Sequence, residues 1–158
     1  MSSLTDMIEE AILGLIEEAD GFCEISRNAF AAQLQVAPSQ VTYAISTRFG
    51  HRHGYLVESR RGGAGYIRIR RIPYSEDSDY IMHLVRSVSD RLSQHDAHVL
   101  IEQLMNMELL SREMSLLMKA SLSDASLQRV EIRSRDGVRS DLFRHLLTLA
   151  AALTEEDL

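Results

Sequence analysis

The chain has 158 residues, of which 45% are hydrophobic and 25% charged, and its formal net charge is −6. This length can bury one fair-sized core or two small ones. We expect neither a secretory signal nor a membrane partner, because no apolar run approaches the length of a membrane span. The single cysteine, Cys23, excludes an internal disulfide framework and is typical of proteins of the reducing cytoplasm.

The charge is distributed unevenly along the chain. Residues 1–23 carry six acids and no base, residues 24–72 carry eight arginines and two glutamates, and residues 73–158 carry nine bases and fifteen acids. The three segments therefore have formal charges of −6, +6 and −6. Screening limits the reach of an exposed charge to ~8 Å at physiological salt. A local basic segment consequently says more about a nucleic-acid partner than the net charge does.

The first segment predicts two helices with a short strand between them. Apolar residues at helical spacing predict an amphipathic helix over residues 4–19, with most of its acids on the solvated face turned away from nucleic acid. Residues 22–25 are a strand candidate. Ser26 is typical of a helix N-cap and predicts a second helix over residues 27–34. The residues of this second helix that we expect to face inward are Ala29, Phe30, Ala32 and Leu34.

Residues 38–49 predict a third helix directly after a tight break. A proline suits a helix start, because it loses no helical hydrogen bond there. Two short helices separated by so brief a turn match the helix-turn-helix arrangement, in which the second helix enters the major groove of DNA. Val41, Ala44, Ile45 and Phe49 form the apolar side. The other side carries polar groups that can bind phosphates and base edges, and we assign nucleic-acid binding to Ser39, Gln40, Thr42, Tyr43, Ser46, Thr47 and Arg48.

Residues 55–60 and 66–71 predict two strands joined by the glycine-rich segment 61–65. Glycines at the tip let the backbone approach another molecule closely, and an arginine carried on a hairpin suits the narrow minor groove. A merely flexible turn on an exposed ribbon is the alternative. By alternation, Leu56, Ile67 and Ile69 should face the core, and Glu58, Arg60, Arg68 and Arg70 should face outward. The nucleic-acid-binding candidates of the second helix and the hairpin are Arg27, Arg60, Arg61, Gly62, Gly63 and Gly65.

The last segment predicts a separate helical unit. Proline, serines and acids at residues 73–78 indicate a linker, so we predict domains at 1–72 and 73–158. Apolar periodicity predicts helices around residues 80–92, 99–107 and 114–118, the third of them after a candidate cap at Ser111. Residues 123–139 are polar and predict a loop with a turn at Asp136 and Gly137, after which Ser140 should cap the last helix. The apolar residues of that helix are Leu142, Leu146, Leu147, Ala150 and Leu153.

These elements predict an α+β fold, with an N-terminal winged helix-turn-helix domain followed by a small C-terminal all-α helical bundle. The apolar faces of the bundle are wider than one partner helix needs, which indicates a surface between subunits. A bundle that buries all of its apolar residues internally is the alternative.

Candidates for catalysis and metal binding are few. His51 and His53, and likewise His95 and His98, have spacings that could ligate a metal, but neither pair comes with cysteines or a convincing carboxylate pair. We interpret the first pair as solvated loop histidines near phosphates. Neither a Walker loop nor a nucleophile elbow occurs in the sequence. We therefore expect no enzymatic activity, no metal and no cofactor.

One stretch of the chain resembles a known family. Residues 39–49, together with the run Val57-Glu58-Ser59-Arg60-Arg61-Gly62-Gly63-Ala64-Gly65-Tyr66-Ile67-Arg68-Ile69, closely resemble the class three stress gene repressors, the CtsR family. The resemblance is looser through the helical C-terminal half. It implies a dimeric repressor of chaperone and Clp protease genes that binds a directly repeated operator through the third helix and the wing. It also implies release from DNA by heat, phosphorylation of Arg61 by a protein arginine kinase, and a Clp ATPase-protease as a partner.

The chain departs from the family pattern at three positions. The family usually has asparagines where this chain has Thr42 and Ser46, and a hydroxyl lacks the bidentate amide that reads adenine, which leaves the operator sequence open. Ala64 replaces one glycine of the four-glycine wing tip, so we expect a stiffer wing or another switching temperature. A second class of function also stays open at this point, a winged-helix domain used for protein contact whose acidic bundle docks a chaperone or protease. The basic charge of residues 24–72 favours DNA binding.

Overall fold

The computed structural model describes residues 3–60, 65–73 and 75–153. The chain divides into two compact units, Met1–Pro73 and Tyr74–Leu158. The first unit combines helices with a small sheet and the second is helical, which confirms the predicted fold class. Within the described ranges no helix is both long and apolar enough to cross a bilayer.

The N-terminal unit consists of three helices and a three-stranded sheet. Its elements are the helices Leu4–Glu18 (α1), Arg27–Leu34 (α2) and Pro38–Arg48 (α3) and the strands Phe22–Ser26 (β1), Tyr55–Ser59 (β2) and Tyr66–Arg71 (β3). A 3₁₀ turn, His51–His53, lies between α3 and β2. Helix α1 begins with a capping box, in which the Ser3 hydroxyl accepts from the Asp6 N–H and the Asp6 carboxylate accepts from the Ser3 N–H.

The sheet has the strand order β1-β3-β2, and both pairs are antiparallel. The helices cover one face of it, and the shared core includes fully buried isoleucines of α1 and of β3. In β2, Tyr55 and Val57 pack against this core, and Val57 pairs with Ile69. The prediction for Leu56 was therefore wrong, because side chains alternate with a period of two and Leu56 shares the outer face with Glu58.

Helix α2 also differs from the prediction in the residues that it buries. Phe30 and Ala31 are buried, whereas Ala29 and Ala32 are exposed. The helix is only eight residues long, so its sequence samples each side of the helical wheel about twice. The α3 and β1 residues that it packs against, rather than its own apolar pattern, decide which alanine faces inward.

The C-terminal unit is built from four helices, which are Glu76–Ser87 (α4), Gln94–Asn106 (α5), Arg112–Ser121 (α6) and Ile132–Ala152 (α7). Serine side chains cap three of them: Ser75 accepts from the N–H of Ser78, Ser93 from that of Asp96, and Ser111 from that of Met114. Helix α4 thus starts inside the segment that was predicted to be a linker. The predicted cap at Ser111 is confirmed.

Helix α7 replaces the second part of the predicted polar loop over residues 123–139, while residues 123–131 are non-helical as predicted. It begins at Ile132, and Asp136, Gly137 and Ser140 all lie inside it. Ser140 is not a cap but a buried residue whose hydroxyl donates to the carbonyl oxygen of Ser89. The prediction was wrong because it read polar residues as solvated, whereas several of them bond internally.

Arg139 makes the clearest of these internal hydrogen bonds. Its side chain is fully buried, and it donates to the carbonyl oxygens of Leu122 at 2.7 Å and Leu92 at 2.9 Å. It also pairs with the carboxylates of Asp136 and Asp124. One guanidinium therefore connects α7 with the segments that follow α4 and α6.

Candidate nucleic-acid interface

The turn between α2 and α3 is fixed by local hydrogen bonds. Gln35 ends α2 in the left-handed conformation, with φ of 59°, and the N–H of Val36 donates to the Ala31 carbonyl at 2.9 Å. Pro38 begins α3, and the side-chain oxygen of Gln40 accepts from the Ala37 N–H at 2.8 Å. Because that oxygen already accepts a hydrogen bond at the helix start, the amide NH₂ is the group of Gln40 that is free to donate to DNA.

The outer side of α3 is a row of exposed polar residues. Val41, Ala44 and Ile45 are buried on the inner side, whereas the side chain of Tyr43 is exposed. The site residues that the structure places together on the outer side are Ser39, Gln40, Thr42, Tyr43, Ser46 and Thr47. This face could be identified from the spacing of its apolar residues alone.

The hydroxyl groups on this face already donate to the helix backbone. Thr42 donates to the carbonyl of Pro38 at 3.3 Å, and Ser46 and Thr47 donate to that of Tyr43 at 2.9 and 2.8 Å. A hydroxyl has one proton and two lone pairs, so each of these groups offers an acceptor to the outside. In the major groove an acceptor suits the amino groups of adenine and cytosine.

Arg48, at the end of α3, is bound to α1. Its guanidinium lies 3.1 Å from a carboxylate oxygen of Asp6 and 2.9 Å from one of Glu9. The Ser3 backbone N–H and hydroxyl, with a smaller contribution from Arg48, hold the pKa of Asp6 below its usual value. The sequence-based prediction placed most acids of α1 on a solvated face and missed that Asp6 and Glu9 contact α3. Their i, i+3 spacing puts both on one side of α1, which was the available signal.

The base of the hairpin adjoins the start of α2. The N–H of Arg27 donates to the carbonyl of Gly65 at 3.2 Å, and the N–H of Arg60 donates to that of Tyr66 at 3.0 Å. Gly65 has φ of 67°, a conformation that favours glycine. Arg60 is exposed, and the Nε atom of Arg27 is buried without a hydrogen-bond partner among the described residues. The predicted site residues Arg61, Gly62 and Gly63, and with them Ala64, lie outside the described residues.

The outer face of the sheet carries two further arginines of the basic segment. Arg68 forms an ion pair with Glu24 at 2.8 Å, and the guanidinium of Arg70 lies 6.0 Å from the ring centroid of Phe22. Leu56 and Glu58 line a shallow groove with them. These arginines face away from α3, so part of the +6 charge of residues 24–72 lies on the outer surface of the sheet and not on α3.

The histidine pairs show no sign of a metal centre. His51 and His53 lie in the 3₁₀ turn, together with the exposed Arg52, and the His98 ring bonds the carbonyl of Lys119 at 3.1 Å. In the part of the chain that the structure describes, no three His, Cys, Asp or Glu side chains come together in a group that could hold a metal ion.

A helix-turn-helix on a three-stranded sheet, whose last two strands form a hairpin, defines the class of winged helix-turn-helix proteins. Comparison with known families is more specific. Residues 3–73 match the model of the CtsR N-terminal HTH domain, and residues 76–148 match that of the CtsR C-terminal dimerization domain. The chain belongs to the CtsR family of transcriptional regulators.

Individual relatives agree with this assignment. The chain is 34% identical to the transcriptional regulator CtsR of Staphylococcus saprophyticus and 36% identical to that of Staphylococcus epidermidis, in each case over 93% of this chain and 96% of the relative. Among solved structures, it is similar to the crystal structure of CtsR in complex with a 26-bp DNA duplex. That similarity has a TM-score of 0.50 and 31% identity, and it covers 94% of this chain and 99% of the other.

Proposed function

We propose that this chain is a homodimeric repressor that binds double-stranded DNA sequence-specifically, with α3 in the major groove and the hairpin at the minor groove. The exposed polar side of α3 is the observation that carries the proposal. Its residues have side chains small enough for a helix to enter a groove, and their outward acceptors match base amino groups. A similar chain of known structure is in complex with a DNA duplex, which supports the same conclusion.

Selection from a random duplex pool, followed by footprinting, tests sequence-specific binding. The purified protein should enrich a directly repeated sequence and protect the same sequence upstream of chaperone and Clp protease genes. Each phosphate contact contributes about 0.9 to the slope of log K against log salt, so affinity should fall steeply as salt rises. Failure to enrich any sequence, with binding that salt does not weaken, would refute the proposal and favour a protein partner.

The C-terminal unit is proposed to carry the dimerisation surface. It matches a dimerization domain and leaves large apolar residues exposed, which is typical of a surface that another chain covers. Leu116 and Leu117 of α6 are 56% and 70% exposed, so they contribute little to packing within their own unit. Among the described residues of this unit, the other exposed large apolar side chains are Tyr80, Val99, Met107, Ile132, Leu142 and Leu149.

Sedimentation of variants tests this surface. Replacing Leu116 and Leu117 together by Gln should shift the protein from dimer to monomer at micromolar concentration while its helix content stays unchanged. Glu113→Gln, on the same exposed helix, is the matched control and should remain dimeric. The monomeric variant should bind DNA more weakly, because two linked half-site readers raise each other's effective concentration on the operator. A monomeric wild-type protein would contradict the proposal.

The wing arginine Arg61 is the proposed regulatory residue, by the resemblance to the family. It directly follows the exposed Arg60 at the end of β2. Phosphorylation by a protein arginine kinase would replace a cation by an anion next to the DNA backbone and remove the donor fork. A cytoplasmic stress response could then release the repressor, which a Clp ATPase-protease would remove.

Three arginine variants test the switch. Arg61→Ala should abolish operator binding, whereas Arg61→Lys keeps the charge, should retain part of the affinity and should resist the kinase. Arg133→Ala, in the C-terminal unit, is the control for loss of one surface arginine. Near wild-type affinity of Arg61→Ala at physiological salt would exclude a switch at this residue.

Release by heat is proposed to depend on the wing tip. Glycine has more conformational freedom than alanine, so an Ala64→Gly variant should lose its ordered, DNA-bound wing more readily. Operator release should therefore occur at a lower temperature in the variant than in the wild type. An unchanged release temperature in a DNA-binding assay across a temperature series would place the heat sensor elsewhere.

A further inference from the structure

Arg48 is the one charged residue of α3, and carboxylates of α1 compensate its charge. Its Nη1 atom lies 2.9 Å from a carboxylate oxygen of Glu9, and its Nη2 atom lies 3.1 Å from one of Asp6. Both terminal nitrogens of the guanidinium thus face carboxylates of α1. A DNA phosphate would have to displace one of these charge-assisted bonds before it could use the same donors.

The two carboxylates are themselves held in place. The second oxygen of Asp6 accepts the N–H of Ser3 at 2.8 Å, so this side chain closes the capping box while it binds Arg48. Glu9 is half-buried next to Ile8, which is fully buried in the core beneath α1. The carboxylates therefore form a rigid acceptor pair on the first two turns of α1 rather than a mobile acidic surface.

The position of this pair matters because base reading depends on the placement of α3. Ser46 lies one half-turn before Arg48 and Thr42 lies further back along the same helix, and both offer hydroxyl acceptors outward. A hydrogen bond is lost when donor and acceptor move apart by a fraction of an ångström to an ångström. A bond that fixes the end of α3 against α1 would hold these hydroxyls in the same place in every molecule.

We propose that Arg48 is a positioning residue, which joins α3 to α1 through Asp6 and Glu9 and does not contact a phosphate. The acids of α1 thereby act in sequence recognition, although they repel DNA as charges. This inference rests on the proposed DNA-binding function, and it differs from the sequence-based assignment of Arg48 to direct nucleic-acid binding.

Glu9→Gln gives the sharpest test, because the two possible roles of Arg48 predict effects of opposite sign. Removal of a negative charge near DNA should strengthen binding if Arg48 is a phosphate contact that Glu9 restrains. With Arg48 as a positioning residue, the same change should weaken binding to a duplex selected by the wild-type protein, by about 1.5- to fivefold, the range of one well-formed exposed ion pair. Glu10→Gln, an exposed acid next to it on α1, is the matched control and should show no weakening.

Arg48→Ala supplies a second and independent readout. Loss of a phosphate contact would lower the slope of log K against log salt by about 1 and would weaken binding to selected and mixed-sequence duplexes alike. Loss of a positioning residue should leave the slope unchanged and lower only the ratio of selected to mixed-sequence affinity. All variants are compared at a temperature at which circular dichroism shows them to be fully folded, which separates positioning from stability.

Hydrogen exchange of the DNA-free protein keeps this inference distinct from the proposed function. Amides in the last turn of α3 should exchange faster in Glu9→Gln than in Glu10→Gln, whether or not DNA binds. Equal exchange in the two variants, or a slope that falls by about 1 in Arg48→Ala, would overturn the positioning role. A wild-type protein that prefers no duplex would refute the proposed function instead, and the exchange result would still decide whether Arg48 holds α3.

Discussion

Replacement of Arg139 by methionine should strongly destabilise the C-terminal unit. Methionine is similar in length and apolar, so it fills most of the volume and leaves little cavity. It cannot donate, and the carbonyl oxygens of Leu92 and Leu122 therefore lose the buried donor that they share. The change tests whether a single guanidinium holds together the segment that the sequence predicted to be a loop.

The expected magnitude follows from the exposure of each partner. A buried carbonyl left without a donor costs about 1–3 kcal/mol, and two are affected. Asp124 and Asp136 have side chains that are 57% and 40% exposed, so water can solvate their carboxylates and their contribution is small. The sum, about 2–6 kcal/mol, brackets the usual cost of about 3–5 kcal/mol for removing one partner from a buried ion pair.

Urea unfolding followed by far-ultraviolet circular dichroism measures this effect. Protomer concentration must be equal in all samples, because dimerisation couples stability to concentration. Arg133→Met is the matched control. Arg133 lies in the same helix, forms a surface ion pair with Glu131 and has a side chain that is 85% exposed. The control should stay within about 0.5 kcal/mol of the wild type. A free energy of unfolding of Arg139→Met within about 1 kcal/mol of the wild type would refute the reasoning.

Three further predictions concern the N-terminal unit. Ile45→Asp should unfold this unit, because a buried unpaired carboxylate costs several kcal/mol. Ser46→Asp, next to it on the exposed side, is the control and should melt like the wild type. A cooperatively melting Ile45→Asp protein with full DNA affinity would disprove the orientation of α3. Thr42→Ala and Ser46→Ala should each relax sequence preference by about 1–3 kcal/mol at particular base positions, measured with single-base variants of the selected duplex, and an unchanged preference in both would show that another face reads the bases. Because the pKa of Asp6 is lowered in the folded state, its carboxylate stabilises the unit above the unfolded value of 3.8 and this contribution is lost as the pH falls below it. Asp6→Asn should therefore lose stability at neutral pH and much less in acid, and equal losses at pH 7 and about pH 3 would contradict this assignment.

Much of α3 and of the hairpin could be predicted from the sequence. Ser26 and Pro38 indicate where α2 and α3 begin, and apolar spacing gives the buried side of α3; both signals are properties of neighbouring residues. The position of Leu56 on the outer face of the sheet could also have been predicted, because Leu56 and Glu58 lie two residues apart in one strand and therefore point to the same face. The ion pair between Arg48 and Glu9 could not be predicted, because the two residues lie 39 positions apart.

The C-terminal unit shows the same division more sharply. By itself, the sequence determined that this region is helical, where three of its helices lie, and that Ser111 caps one of them, because helical periodicity and capping act within a few residues. Only the tertiary structure decided that residues 132–140 continue as helix. Arg139 reads as a surface residue in a polar stretch until α7 packs against segments as far as 47 positions away, whose carbonyl oxygens then need a buried donor. A polar side chain satisfied by such distant partners leaves no periodic pattern in its own sequence, so its burial follows from packing alone.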